Sequence, residues 1–190
     1  MADPVANLRS RLETLDQIRR QVGLISASRI RELAGARGLA AEISEAIEAT
    51  SPFIEEHTAA VCPACPQVCC RNRHCYHEIG DIIYICSLGQ GLPAYREGAL
   101  DSDPCQFLGE RGCRIRRSLR PHRCNWFFCT PLLEHIQGVS PRRYRRFVAD
   151  IAGITDKRME LINTFASAID KAGHDFSGMK KASDEIFFRI

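Results

Sequence analysis

The 190-residue sequence has no cysteine in its first 61 residues and none after position 129. It also lacks any stretch approaching the roughly 20 consecutive apolar residues of a membrane-spanning helix. The opening Met1-Ala2-Asp3-Pro4 carries neither a basic n-region nor an apolar h-region, so the reading is of a chain without a secretory signal, in a reducing, cytoplasmic compartment. A strong charge of either sign is missing too. The formal net charge is +3, spread as −2 over residues 1–60, +3 over 61–129 and +2 over 130–190. Global charge therefore gives little reason to expect nucleic acid. Phosphate loops, dinucleotide fingerprints, nucleophile elbows and H-E-x-x-H zinc helices are all absent, which leaves the question of enzymatic activity open without a catalytic residue to name. There is no internal repeat and no low-complexity tract.

Against these absences stand ten cysteines, all between Cys62 and Cys129. In an oxidising compartment ten cysteines suggest five disulfides, whereas clustered cysteines in a reducing one more often bind metal or do redox chemistry. A disulfide framework usually staples a whole small domain, and this one would leave both ends unstapled. Metal is the preferred reading. The hydrophobic fraction of 45% is near the globular average and allows an ordinary core.

The ends read as helices. Asp3-Pro4 is a cap followed by proline at the first helical position, and Val5, Leu8, Leu12, Leu15, Ile18 and Val22 form an apolar stripe that Gly23 should end. A second helical stretch is expected from about Ser28 to Ala49, and Ser51-Pro52 should start a third, short helix leading to Cys62. Downstream, Ser140-Pro141 opens a helix expected to reach about Ala152. Thr155 should cap another bearing Met159, Ile162, Phe165 and Ile169, with Gly173 as its stop. The tail after His174 ends in apolar residues that can dock on the body. Residues 62–129 differ: they have no sustained helical period and one β-like run, Ile82-Ile83-Tyr84-Ile85. The expected organisation is a helical region at 1–61, a cysteine-cluster region at 62–129 and a helical region at 130–190, together one compact, mainly α domain with little β. Such a middle segment could hardly build a core alone, and metal binding would supply the missing folding free energy.

The cysteine spacing reads Cys62-x2-Cys65-x3-Cys69-Cys70-x4-Cys75, then Cys86, then Cys105-x7-Cys113 and Cys124-x4-Cys129. Two cysteines two residues apart can turn both sulfurs onto one ion, which is why C-x2-C is the common half of a zinc or iron–sulfur site. Alone it is weak; followed by two further cysteines and by downstream pairs it is strong for metal, without naming the metal. These elements, with Cys105-Gln106-Phe107-Leu108, Cys113-Arg114-Ile115 and Arg120-Pro121-His122-Arg123-Cys124, resemble the YkgJ-type cysteine-cluster family, described as a zinc- or iron-chelating domain. The likeness covers about a third of the chain. It departs from the family pattern in having three residues, Pro66-Gln67-Val68, before the adjacent pair where two are usual, and Asn125 where an arginine is usual. Carried over residue by residue, it implicates Cys62, Cys65, Cys69, Cys70, Cys105, Cys113, Cys124 and Cys129. Cys75 and Cys86 fall outside it and are as readily small buried thiols as ligands. His74 and His77 are weaker candidates, because eight thiolates already suffice for two tetrahedral sites. Some proteins with this cluster methylate flagellin lysines; no cosubstrate motif carries that activity to this chain.

Cys69 and Cys70, being adjacent, suit two neighbouring sites or one multi-metal cluster better than one ion. Six arginines follow between positions 111 and 123 with no acid among them: Arg111, Arg114, Arg116, Arg117, Arg120 and Arg123. Arg120 and Arg123, flanking the Cys124 element, are the candidates to donate charge-assisted hydrogen bonds to thiolate sulfur. Alternatively the cluster, joined by Arg142, Arg143, Arg145 and Arg146, is a patch for nucleic acid or an acidic partner. Trp126-Phe127-Phe128 are expected to wall the metal from solvent. Three functions follow: a metal-binding protein holding zinc or iron, an iron–sulfur redox or protein-modifying enzyme, and a metal-stabilised module for a polyanion.

Overall fold

The computed structural model describes residues 4–28, 31–65, 68–72, 75–96, 103–110 and 112–187. The chain is mainly helical. Four long helices form its frame: α1 (Pro4–Ala27), α2 (Ala34–Val61), and, near the other end, α6 (Thr130–Val139) leading into α7 (Pro141–Lys171). Between them lie three short helices, α3 (Cys69–Asn72), α4 (Ile79–Ser87) and α5 (Arg123–Trp126), and a small antiparallel hairpin of β1 (Leu108–Gly109) and β2 (Gly112–Cys113) in which Leu108 faces Cys113. Helix α8 (Phe176–Phe187) closes the fold. Among the described residues no helix is long and apolar enough to cross a membrane.

Helices expected as separate pieces are continuous. The Ser51-Pro52 signal does not start a new helix, because α2 runs through Pro52 to Val61. Proline deletes the bond its N–H would give to the Glu48 carbonyl. Glu48 and Pro52 both lie on the exposed side, where water can take that carbonyl, while Ile43, Ile47 and Ile54 are buried on the other side. Likewise Thr155 does not cap a helix start: its hydroxyl donates back to the Ile151 carbonyl at 2.9 Å and α7 passes straight through. α1 also continues past Gly23 to Ala27. The stop at Gly173 holds. That glycine adopts φ +83°, and the His174 N–H reaches the Ile169 carbonyl at 2.9 Å, the six-to-one bond of a Schellman turn.

The main correction concerns Ile82-Ile83-Tyr84-Ile85. This run forms the middle of helix α4, not a strand, and all four side chains are buried. A short apolar run with buried neighbours on every side satisfies a helix as well as a strand, and here a capping box decides. The Glu78 N–H donates to Asp81 Oδ2 at 3.1 Å, and the Glu78 side chain accepts from the first turn. α4 packs against α1, α2 and α7. The segment between residues 62 and 129 thus contributes the centre of the main core, contrary to the expectation that it could hardly build one. Around α4 stand Leu15, Ile18 and Val22 of α1, Ala40 and Ile43 of α2, and Leu161 and Phe165 of α7. A second cluster joins the end of α2 to α6 and the start of α7 through Ile54, Leu132, Ile136 and Phe147, with Phe128 and Phe147 rings stacked 5.1 Å apart.

An ion pair locks α4 in place. Asp81 Oδ1 lies 2.8 Å from Arg158 Nη2 of α7, both side chains being buried, and the same oxygen accepts the His122 N–H at 3.0 Å. Asp81 therefore ties α4, α7 and the entry to α5 together. Gly80, beside it, meets α7 so closely that an added Cβ would stand 2.9 Å from Ile162 Cδ1.

Candidate metal centre

The cysteines are brought together by short turns hung on this frame. At the end of α2 the chain makes a 3₁₀ turn, Cys62–Ala64, closed by the Cys65 N–H on the Cys62 carbonyl at 3.2 Å. Cys69 and Cys70 occupy the first turn of α3. The Cys105 N–H donates to the Cys70 carbonyl at 2.7 Å, fastening the strand before the hairpin to α3. Cys124 lies in α5, and Cys129 occupies the N-cap position of α6, partly buried against the second apolar cluster.

All ten cysteines are free thiols. The sulfurs of Cys75 and Cys124 lie 3.4 Å apart. That is far beyond a disulfide bond of about 2.05 Å. It is a little under the separation of about 3.8 Å for two sulfurs on one tetrahedral zinc with bonds of about 2.3 Å. Most of the other thiols also influence one another. Cys62 is raised above the usual thiol range by burial and then by the proximity of Cys69, Cys129 and Cys65. Cys70 is raised first by a hydrogen bond with Cys69 and by burial, and then by Cys69, Cys105 and Cys124. Cys124 is raised by its hydrogen bond with Cys75 and by burial, with Arg120 working the other way. Burial also raises Cys105, which receives a backbone hydrogen bond from Cys75. Ionising several of these thiols together is costly unless a cation joins them. Among the described residues, however, no three histidine, cysteine or carboxylate side chains converge closely enough to hold an ion.

No family model, curated protein or solved structure matches the chain. Its own geometry is what speaks for the site.

That geometry sorts the expected site residues. Cys62 has Cys69, Cys129 and Cys65 as neighbours, and Cys70, hydrogen-bonded to Cys69, joins that group to Cys105 and Cys124, with Cys113 near Cys105. Cys75, outside the family-like pattern, makes a sulfur contact with Cys124. Cys86 sits on α4 against the main core, its thiol pushed up to about 11 by burial, as a structural thiol would be. His77 is fully buried and already occupied. Its Nε2 lies 2.9 Å from the Leu119 carbonyl and must carry the proton, so Nδ1, 3.0 Å from the Tyr95 hydroxyl, is the acceptor. No lone pair is left for a metal. His74 and Arg111 lie outside the described residues.

The arginines divide in a way spacing could not show. Arg120 lowers Cys124 against the larger raising causes, and its Nε donates to the Ile115 carbonyl at 3.0 Å. Arg123 is exposed near Glu78, whose carboxyl it helps to keep ionised. Arg117, not singled out among its neighbours, is buried, donates to Ser51 Oγ at 2.9 Å and lies near both Cys113 and Cys124. Burial pushes it down to about 10, and the cysteines push it back up. Arg114 donates to the Gln106 carbonyl, and the exposed Arg116 pairs with Glu48. Arg143 is likewise engaged, with both nitrogens on Glu56 at 2.9 and 2.7 Å. The aromatic wall also needs correction. Trp126, the last residue of α5, is 46% exposed, while Phe128, in the extended stretch that follows, packs into the second apolar cluster.

Buried polar atoms remain without a partner here, Gln106 Nε2, His122 Nδ1 and both ends of the Asn125 amide among them. Asn125, next to Cys124, is completely buried, and neither its Oδ1 nor its Nδ2 has a hydrogen bond. Leaving such an amide unsatisfied costs about 1–3 kcal/mol.

Proposed function

We propose that this chain is a metal-binding protein that holds zinc or an iron centre, an iron–sulfur cluster included, through its cysteines. The observation that carries the reading is the meeting of free thiols from separate turns, Cys75 with Cys124 at 3.4 Å and Cys105 fastened to Cys70 through the backbone at 2.7 Å. The donor set fits such a group. Thiolate sulfur selects zinc and iron–sulfur clusters over magnesium or calcium. Arg120 and Arg117 stand where they offset thiolate charge. The orphaned Asn125 amide supplies an N–H donor beside Cys124, the kind of hydrogen bond that tunes metal-bound sulfur. The family likeness read from the cysteine spacing agrees, and with it a cytoplasmic location.

Elemental analysis of anaerobically purified protein tests the proposal. Stoichiometric zinc in a colourless sample, or iron in a coloured one with charge-transfer absorption, is the expected result. A folded protein that arrives without metal and takes up neither zinc nor ferrous iron with sulfide overturns it.

A further inference from the structure

We infer that Cys75 and Cys124 are a dithiol that closes to a reversible disulfide when it meets a small-molecule disulfide of the oxidised-glutathione kind. The inference goes beyond the metal-binding reading and does not depend on it, because it needs only two thiols and the contact between them.

The two sulfurs lie 3.4 Å apart although forty-nine positions separate them in the sequence. A bond of about 2.05 Å asks them to approach by about 1.4 Å, the scale of a modest side-chain rotation. The backbones that carry them are already fastened to each other. On the Cys75 side, His77 Nε2 donates to the Leu119 carbonyl at 2.9 Å. Four residues further on, Asp81 Oδ1 accepts the His122 N–H at 3.0 Å and is itself held by Arg158 at 2.8 Å. The Cys124 N–H in turn reaches the Pro121 carbonyl at 2.8 Å, fixing the start of α5. Two cross-ties beside the sulfur contact therefore hold the Cys75 and Cys124 stretches together before any bond forms. Both cysteines are free and only partly buried, so a reagent from solvent can reach them. The consecutive pair Cys69 and Cys70 is a poorer couple. Neighbouring Cα atoms stand about 3.8 Å apart, short of the roughly 4.4–6.8 Å that a disulfide usually spans.

The step is thiol–disulfide exchange. One sulfur of the pair, having lost its proton, attacks the small disulfide. The reagent's S–S bond breaks, and the departing half leaves as a thiol with that proton. The second sulfur of the pair then gives up its own proton and attacks the mixed disulfide, expelling the other half as a thiol. Two electrons pass from the protein to the reagent, and excess small thiol runs the step backwards. On the metal-binding reading, closure withdraws two donor sulfurs, so oxidation would loosen whatever metal they help to hold.

The test uses the protein as purified anaerobically, exposed to mixtures of reduced and oxidised glutathione. Samples are quenched by alkylation, and linked peptides are assigned by tandem mass spectrometry, with metal counted in the same samples. The Cys75–Cys124 linkage is expected first, outpacing any other pair by about tenfold or more as a step between groups already in contact. It should disappear on adding excess reduced glutathione. Cys86→Ser should leave the linkage unchanged, whereas Cys75→Ser and Cys124→Ser should each abolish it and leave the remaining partner alkylated or carrying one glutathione. Wild type alone decides should either variant not fold. Cys75 and Cys124 still alkylated while other pairs link, or a statistical mixture of linkages, overturns the inference. Linkage of this pair in protein that never holds metal supports the inference and overturns the metal reading; metal in protein whose pair never links does the reverse.

Discussion

Asp81 shows how much one side chain organises. Its carboxylate faces Arg158 and the His122 N–H with almost no solvent. Asp81→Ala would strand the Arg158 guanidinium in the interior, which costs about 3–5 kcal/mol for a broken buried pair. Urea denaturation should show that loss, with Asp81→Asn intermediate because it keeps an acceptor. Beside it, Gly80→Ala drives a methyl group into Ile162 and should cost about 1–3 kcal/mol by overpacking. Around the cysteines the arginines separate. Arg120→Ala should weaken metal affinity about 10- to 100-fold in a chelator competition, because Arg120 acts on Cys124. Arg123→Ala should leave affinity unchanged and shift stability by no more than about 0.5 kcal/mol, since Arg123 is exposed beside Glu78. Equal effects of the two substitutions would contradict this division.

Among elements, α4 and the cysteine-bearing turns should respond to metal differently although they share one stretch of sequence. α4 is packed on three sides by α1, α2 and α7 and owes nothing to a metal for its burial. The 3₁₀ turn at Cys62–Ala64, the four residues of α3 and the two-residue strands of the hairpin bury little apolar surface and make few backbone bonds. Elements of that kind open at low free energy unless something ties them down. Hydrogen exchange of metal-loaded and metal-stripped protein should therefore show residues 62–72 and 103–129 losing protection on stripping while residues 79–87 keep theirs. Uniform loss over the whole interval would mean that α4 depends on the metal too.

For the whole molecule, acid should be destabilising even apart from any metal. His77 and His122 are both held below the ordinary histidine value of 6.5, burial being the largest cause for each, and His122 is brought down to about 4. The unfolded chain then takes up protons at these positions before the folded one does, so the histidines favour folding fully above about pH 6.5. That contribution is lost as pH falls from there toward 4. Thermal melts of metal-stripped protein between pH 7.5 and 4 should show the decline. Replacing His122 with asparagine, which does not titrate, should make the decline shallower.

Much of this protein was legible without tertiary information. The stripe of Leu15, Ile18 and Val22, the Ser140-Pro141 helix start and the Gly173 stop are local: side-chain period, a preset proline φ and a glycine free to take positive φ act within a few residues. The cysteine spacing likewise placed every thiol between positions 62 and 129, because that is a matter of residue order alone. What remained hidden depended on what lies opposite in space. Pro52 and Thr155 stay inside their helices because buried isoleucines on the far side hold α2, and α7 packs along it. Ile82–Ile85 is helical because the capping box of Glu78 and Asp81 starts α4 and three helices then bury it on every side, and an apolar run of that length carries no period to say so. Cys75 looked spare and Arg117 looked like any of six arginines. The first gains its meaning from Cys124, forty-nine positions away. The second gains it from Ser51, sixty-six positions away. Sequence order determined which side chains this chain owns; only folding decided which thiols and which cations meet, because those pairings join residues that no local pattern connects.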